Sequence, residues 1–234
     1  MSRKRPRPVL PQWLWLWFPP LLLLVMLPVR WLDPAAYRAW FDGEMGVVEL
    51  ATPVFALIGM VYGLRLLATL RRDGPSKLGL WVALLSAACF YLAGEELSWG
   101  QQLFHWHTPA AIDALNDQHE TNLHNMSSWF DQKPRLLLEL WVLIGGIIVP
   151  LRGLANPRRL SANVISSWFW PTLDCLPTAV LAIAIRLPER LKDVFGWESV
   201  PLEIRYSEPQ EYYFALFLLL YLAALRRRVL LAQH

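Results

Sequence analysis

The chain alternates long apolar runs with shorter polar breaks. Six runs stand out: Val9 to Trp31, Gly46 to Leu70, Leu78 to Trp99, Leu136 to Leu151, Val164 to Ile185 and Tyr212 to Leu225. A helix needs about 20 apolar residues to cross roughly 30 Å of hydrocarbon. The pattern therefore predicts an all-α protein, a polytopic transmembrane bundle of about six spans, with the fourth and sixth runs short for the task. The first run follows Arg3, Lys4, Arg5 and Arg7, as the core of a signal peptide would. It is too long for that, and no small-x-small cleavage site follows it. It is expected to be a retained helix, distorted at Pro19-Pro20.

The polar breaks differ in charge. Placing the N-terminus in the cytoplasm puts Arg3, Lys4, Arg5, Arg7, Arg65, Arg71, Arg72, Lys77, Arg152, Arg158, Arg159, Arg226, Arg227 and Arg228 on the inner side, with Asp73 as the only acid in an inner loop. Basic residues concentrate in cytoplasmic loops. Both termini are therefore expected in the cytoplasm, and the chain is expected to be a multi-pass protein of a bacterial inner (plasma) membrane. Two outer loops, 101–135 and 186–210, are long enough to carry function. With no internal repeat and no Gly/Ser linker, residues 1–234 read as one membrane domain.

Composition adds little to this and removes some alternatives. Hydrophobic residues make up 55% of the chain and charged residues 18%, below the roughly 25% of soluble domains. The 13 Trp suit an interfacial aromatic belt. The net charge of +3 follows from the basic inner loops, so it is not a nucleic-acid footprint. Cys89 and Cys175 both lie in apolar runs, which argues against a disulfide framework or a thiolate zinc site.

The candidate chemistry starts at Glu95 and Glu96, two adjacent carboxylates closing an uncharged run. Acids at a span edge are costly unless paired, hydrated or bound to a cation. A helix C-terminus also disfavours anions. On the predicted topology Glu49, Glu139, Glu208 and Glu211 fall at a similar depth. At helix starts, solvation and the dipole are enough to explain Glu139, Glu208 and Glu211 one by one. Asp174, between Pro171 and Pro177, falls near the middle of the fifth run, as a proton or cation relay or as a packing residue satisfied locally.

The outer loop after the acid pair holds His105, His107, His119 and His124. Glu120 and His124 are spaced i and i+4, on one face if the segment is helical. Carboxylate and imidazole together form half of a divalent metal site, or an acid/base pair. The zinc-protease signature is absent, because His124 comes five residues after His119 rather than four. Ser98 has no general base near it in sequence, which weakens it as a nucleophile.

The stretches Gly94-Glu95-Glu96-Leu97-Ser98-Trp99-Gly100-Gln101 and Glu120-Thr121-Asn122-Leu123-His124-Asn125 resemble paired motifs of a widespread family of uncharacterised bacterial polytopic inner-membrane proteins. Glu44 to Thr52 is similar to an earlier acidic segment of that family. The resemblance carries no activity; it implies that Glu49, Glu95, Glu96, Glu120 and His124 act together. A more distant analogy is to alkaline-ceramidase-like membrane hydrolases, whose paired histidines in the last helices this chain lacks.

Three functions are therefore expected to compete. The first is a metal-dependent hydrolase or transferase acting on a lipid or lipid-linked substrate at the periplasmic face. In it Glu49, Glu95, Glu96, Glu120 and His124 hold a divalent metal ion, and Glu96 and His124 are catalytic. The second is a proton- or cation-coupled transporter. The third is a non-catalytic partner in an envelope assembly. The bilayer is the expected surrounding in all three, with no nucleic-acid partner.

Overall fold

The computed structural model describes residues 8–42, 46–71, 76–104, 106–109, 121, 128–155 and 168–233. The described residues form helices and contain no strand. Four helices are long and apolar enough to cross a membrane: Trp13–Leu32, Val47–Leu70, Lys77–Glu96 and Lys133–Ala155.

The first, α1 (Trp13–Leu32), opens with wider π-helical turns over Trp13–Trp17. Pro19 and Pro20 cannot donate to the preceding turn, and their rings crowd its carbonyls, so the expected distortion falls just before the pair. The short α2 (Pro34–Trp40) is capped by Asp33, whose carboxylate accepts from the backbone N–H groups of Ala35 and Ala36. The second and third membrane-length helices are α3 (Val47–Leu70) and α4 (Lys77–Glu96). Ser76 caps α4 by accepting from the Gly79 N–H at 3.0 Å. Next, α5 joins Ser128–Trp141, a π-helical stretch Val142–Ile148, and Val149–Ala155.

The fifth predicted run takes a different form. Residues 164–167 lie outside the described part. After Trp168 the chain is largely irregular up to a tight turn at Leu173–Cys175, and only then does α6 (Leu176–Ala184) begin. Pro171 cannot continue a helix, whereas Pro177 is tolerated in the first turn of one. At roughly 1.5 Å per residue, nine residues cover less than half of the hydrocarbon. α7 (Leu187–Phe195) ends at Gly196, which takes the left-handed cap with φ of 66°. The last helix is α8 (Ser207–Ala232), the longest uninterrupted α-helix among the described residues.

α8 is the centre of the molecule. Every residue from Tyr212 to Leu225 is buried. A helix apolar on all sides is one that neighbours cover on all sides, and α3, α6 and α4 do so here. Between helices in a bilayer the drive is close packing more than water exclusion. Small residues supply it. A Cβ on Gly59 would stand 3.3 Å from the Leu219 backbone, and one on Gly63 only 2.1 Å from Ser86 Oγ. Gly146 likewise makes room for Ala179 and the Phe217 ring. Trp81 and Trp141 do not join the exposed Trp13, Trp17, Trp31 and Trp40; they pack edge-on with each other at 5.5 Å, and Trp141 does so with Phe217 and Tyr221.

Candidate functional site

Glu95 and Glu96 close α4, and the structure gives them different surroundings. Glu95 is buried, 4% exposed, and accepts a hydrogen bond from Trp99 Nε1 at 2.7 Å. The chain reverses immediately after α4. Ser98, Trp99 and Gly100 take φ of 46°, 55° and 98° in succession. Two non-glycine residues in this region cost roughly 1–2 kcal/mol each. The turn folds the indole back over α4, edge-on to Phe90 and Tyr91. It lies so close that a Cβ on Gly94 would be 2.8 Å from the ring. Gly94, Glu95 and Trp99 thus form one interlocked unit, and Ser98 is buried within its turn.

Glu96, about 100° further round the helix, faces away from that unit. It lines a cavity of about 210 Å³ with Leu85, Leu92, Arg135, Leu138, Glu211 and Phe214 among its walls. Among the described residues Glu96 has no hydrogen-bond or ion-pair partner. The charges acting on it are those of Glu211, Glu49, Arg135 and Glu208. Glu49 lies in the first turn of α3, and Glu208 in the first turn of α8 with Glu211 one turn later. Carboxylates from α3, α4 and α8 therefore share one end of the bundle.

The neighbouring acids are occupied. Arg135 of α5 ion-pairs with Glu211, and Arg205 with Glu208 at 3.0 Å. Glu208 precedes the sixth predicted run. Burial pushes its carboxyl up to about 7 against the pull of Arg205, with Glu49, Asp42 and Glu211 adding to the rise. Glu139 stands well inside α5 rather than at its start, paired with Arg190 of α7. Arg30 pairs with Glu203 at 3.2 Å and Arg186 with Glu189. Five of the arginines that the charge pattern leaves on the outer side, Arg30, Arg135, Arg186, Arg190 and Arg205, thus have carboxylate partners.

Past the turn, Gln101 organises the start of the loop. Its Nε2 donates to Thr108 Oγ1 at 3.0 Å, and its Oε1 accepts from the Thr121 N–H at 2.6 Å. Glu120 and His124, together with His105 and His119, lie outside the described residues. Among the described residues no three His, Cys, Asp or Glu side chains form a group that could hold a metal ion. Glu49, Glu95 and Glu96 alone are therefore not a complete ligand set. The donor chemistry still suits a hard cation, because a carboxylate oriented by a neighbouring N–H, as Glu95 is by Trp99, is a usual ligand arrangement.

Asp174 belongs elsewhere. Its carboxylate accepts from the backbone N–H groups of Val9, at 2.9 and 3.2 Å, and Leu10, at 2.7 Å, and from Thr172 Oγ1 at 2.7 Å. It sits at the opposite, basic end, where Arg228 donates to the Trp170 carbonyl and lies over the Trp168 ring. Tyr221 joins the same end, accepting from Trp81 Nε1 and donating to the Phe169 carbonyl. The sequence reading placed Asp174 near mid-span because it ran the fifth helix through Pro171. The structure makes it an anchor for the N-terminal segment.

Two participants went unnoticed in the sequence. Arg135 could have been flagged as a basic residue on the outer side directly ahead of an apolar run. Trp99 is four residues after Glu95, a spacing that already puts two side chains on one face of a helix, and the left-handed turn at 98–100 sets the geometry of their contact. Comparison of the chain with protein-family models, curated proteins and solved structures returned no match.

Proposed function

We propose that the protein is a multi-pass enzyme of a bacterial inner membrane, a metal-dependent hydrolase or transferase acting on a lipid or lipid-linked substrate at the periplasmic face. The observation that carries this reading is Glu96. Among the described residues it is a carboxylate without a protein partner, placed where an apolar cavity meets acids from three helices. A partly buried carboxylate of this kind is costly to keep unless it serves a ligand.

In this reading Glu49, Glu95, Glu96, Glu120 and His124 hold one divalent cation. When bound, the cation supplies Lewis acidity and lowers the pKa of a water molecule. With the cation bound, Glu96 would take the proton of the attacking water and His124 would give one to the leaving group. Trp99 fixes the orientation of Glu95. Arg135, held by Glu211, keeps a positive charge beside Glu96. The family resemblance of the two motifs supports the same grouping of residues.

The topology is part of the proposal. Six crossings with both termini in the cytoplasm put the basic ends of α3, α4, α5 and α8 inside and the carboxylate end outside. The transport reading drew on Asp174 as a mid-membrane relay, and its backbone hydrogen bonds fit an anchoring role instead.

The test is metal analysis of the detergent-purified protein. One divalent cation per chain is expected in the wild type. Glu96→Gln is expected to weaken its affinity by roughly 10- to 100-fold, the range seen when a metal site loses a supporting group. A wild-type protein that binds no divalent cation under any loading condition removes the metal-enzyme reading.

A further inference from the structure

We infer that the cavity beside Glu96 seats the chain of one membrane lipid. The lipid slides in sideways from the bilayer between α4 and α5 and ends at Glu96 in a headgroup that donates hydrogen bonds. The inference rests on reading Glu96 as the reactive end of the site, and it names the class of substrate.

Three features point to a lipid chain. First, the walls are apolar along their length, with Leu85 and Leu92 from α4, Leu138 from α5, and Phe214 and Leu218 from α8. Polar groups occur at one end only. Second, the space has a floor but is open to the side. α8 packs against α4, whereas among the described residues α4 and α5 meet closely at Trp81 and Trp141, near the start of α4 and away from Glu96. Ala88, small and exposed, lines the gap. Third, the length fits. From Leu85 to Glu96 is about 16 Å at 1.5 Å per residue, close to one leaflet of a hydrocarbon core roughly 30 Å thick.

The charge at the closed end selects the headgroup. Glu211 is matched by Arg135. Three acids, Glu211, Glu49 and Glu208, act on Glu96 against the single positive charge of Arg135, which Glu211 already shares. A hydroxyl or ammonium group can donate to a carboxylate there. A phosphate anion offers only acceptor oxygens to a carboxylate that has no proton to donate, and the two repel more strongly than in water because the surroundings are less polar.

Three lipid probes with the same photoreactive diazirine chain test this. They carry an amine, an alcohol or a phosphate headgroup and are applied to full-length protein stripped of metal with EDTA, in bilayer nanodiscs. The amine and alcohol probes are expected to crosslink within the Leu85–Leu92 stretch. The phosphate probe should label about tenfold less, one charged hydrogen bond's worth. The amine exceeding the alcohol assigns an ammonium headgroup, and the reverse assigns a hydroxyl. Ala88→Trp, at an exposed position, is expected to abolish labelling while the protein elutes as the wild type does. Leu138→Trp on the facing wall repeats the test. Equal labelling by all three probes overturns the headgroup assignment. Labelling that is absent from the wild type, or unchanged in both tryptophan variants, overturns the lipid slot. Metal content measured on the same samples separates the two proposals, because a filled slot in a protein that binds no cation sinks only the metal reading.

Discussion

Glu95 and Glu96 are neighbours in sequence and line one cavity, but they differ in how they are held. Trp99 holds Glu95, and Glu96 faces the cavity. A buried carboxylate that loses its donor costs roughly 1.5–3 kcal/mol. A double-mutant cycle of Trp99→Phe and Glu95→Ala, read by thermal unfolding in detergent, should therefore show a coupling energy of about that size. Strictly additive effects would mean that the indole does not hold the carboxylate. The acid pair is legible in the sequence as a site because two charges at a span edge need a reason. The division of labour is not, because it depends on Ser98 and Trp99 adopting left-handed angles that bulky residues seldom take without tertiary support. For Glu139 the sequence suggested a helix start, and the earlier start of α5 with Arg190 nearby gave it another partner.

Among the elements, α1, α3, α4 and α5 are readable because each carries enough continuous apolar sequence to span by itself. The fifth run misleads. Its composition is apolar, but Pro171 interrupts the helix and the Asp174 turn rebuilds the chain end. α8 is readable as a helix but not as the core, since all-round apolarity suits a bilayer and a bundle interior equally. What distinguishes them is close fit between helices: Gly59 of α3 meets the Leu219 backbone of α8, and Gly63 of α3 meets Ser86 of α4. A Val side chain at Gly63 has to displace Ser86 or separate the helices, and overpacking of this kind costs about 1–3 kcal/mol. Gly63→Val should lower the unfolding midpoint. The double variant Gly63→Val with Ser86→Gly should recover part of the loss, which a mere change of helix propensity would not permit. Absence of both effects would count against close α3–α4 packing.

At the scale of the whole molecule, charge is distributed by end. Lys77, Arg152 and the run Arg226 to Arg228 belong to one end. Glu49, Glu96, Glu208 and Glu211 gather at the other, where Arg30, Arg135, Arg186, Arg190 and Arg205 are ion-paired with acids. A paired arginine is a poor retention signal compared with a free one, because its charge is already matched locally. On the proposed topology that asymmetry puts the basic end in the cytoplasm and the candidate site on the periplasmic side. It also makes the crossing number testable at three exposed positions. Glu198 lies in the segment before α8, Lys77 opens α4, and Gln233 follows α8. Native Cys89 and Cys175 are buried, so single cysteines elsewhere report above a low background. In intact cells, Glu198→Cys should react with a membrane-impermeant maleimide, and Lys77→Cys and Gln233→Cys only after lysis. Labelling of Gln233→Cys without lysis would mean that α8 does not complete a crossing, leaving an odd number of spans. The inverse pattern at all three positions would place the carboxylate cluster in the cytoplasm, and with it the leaflet from which a substrate lipid must come.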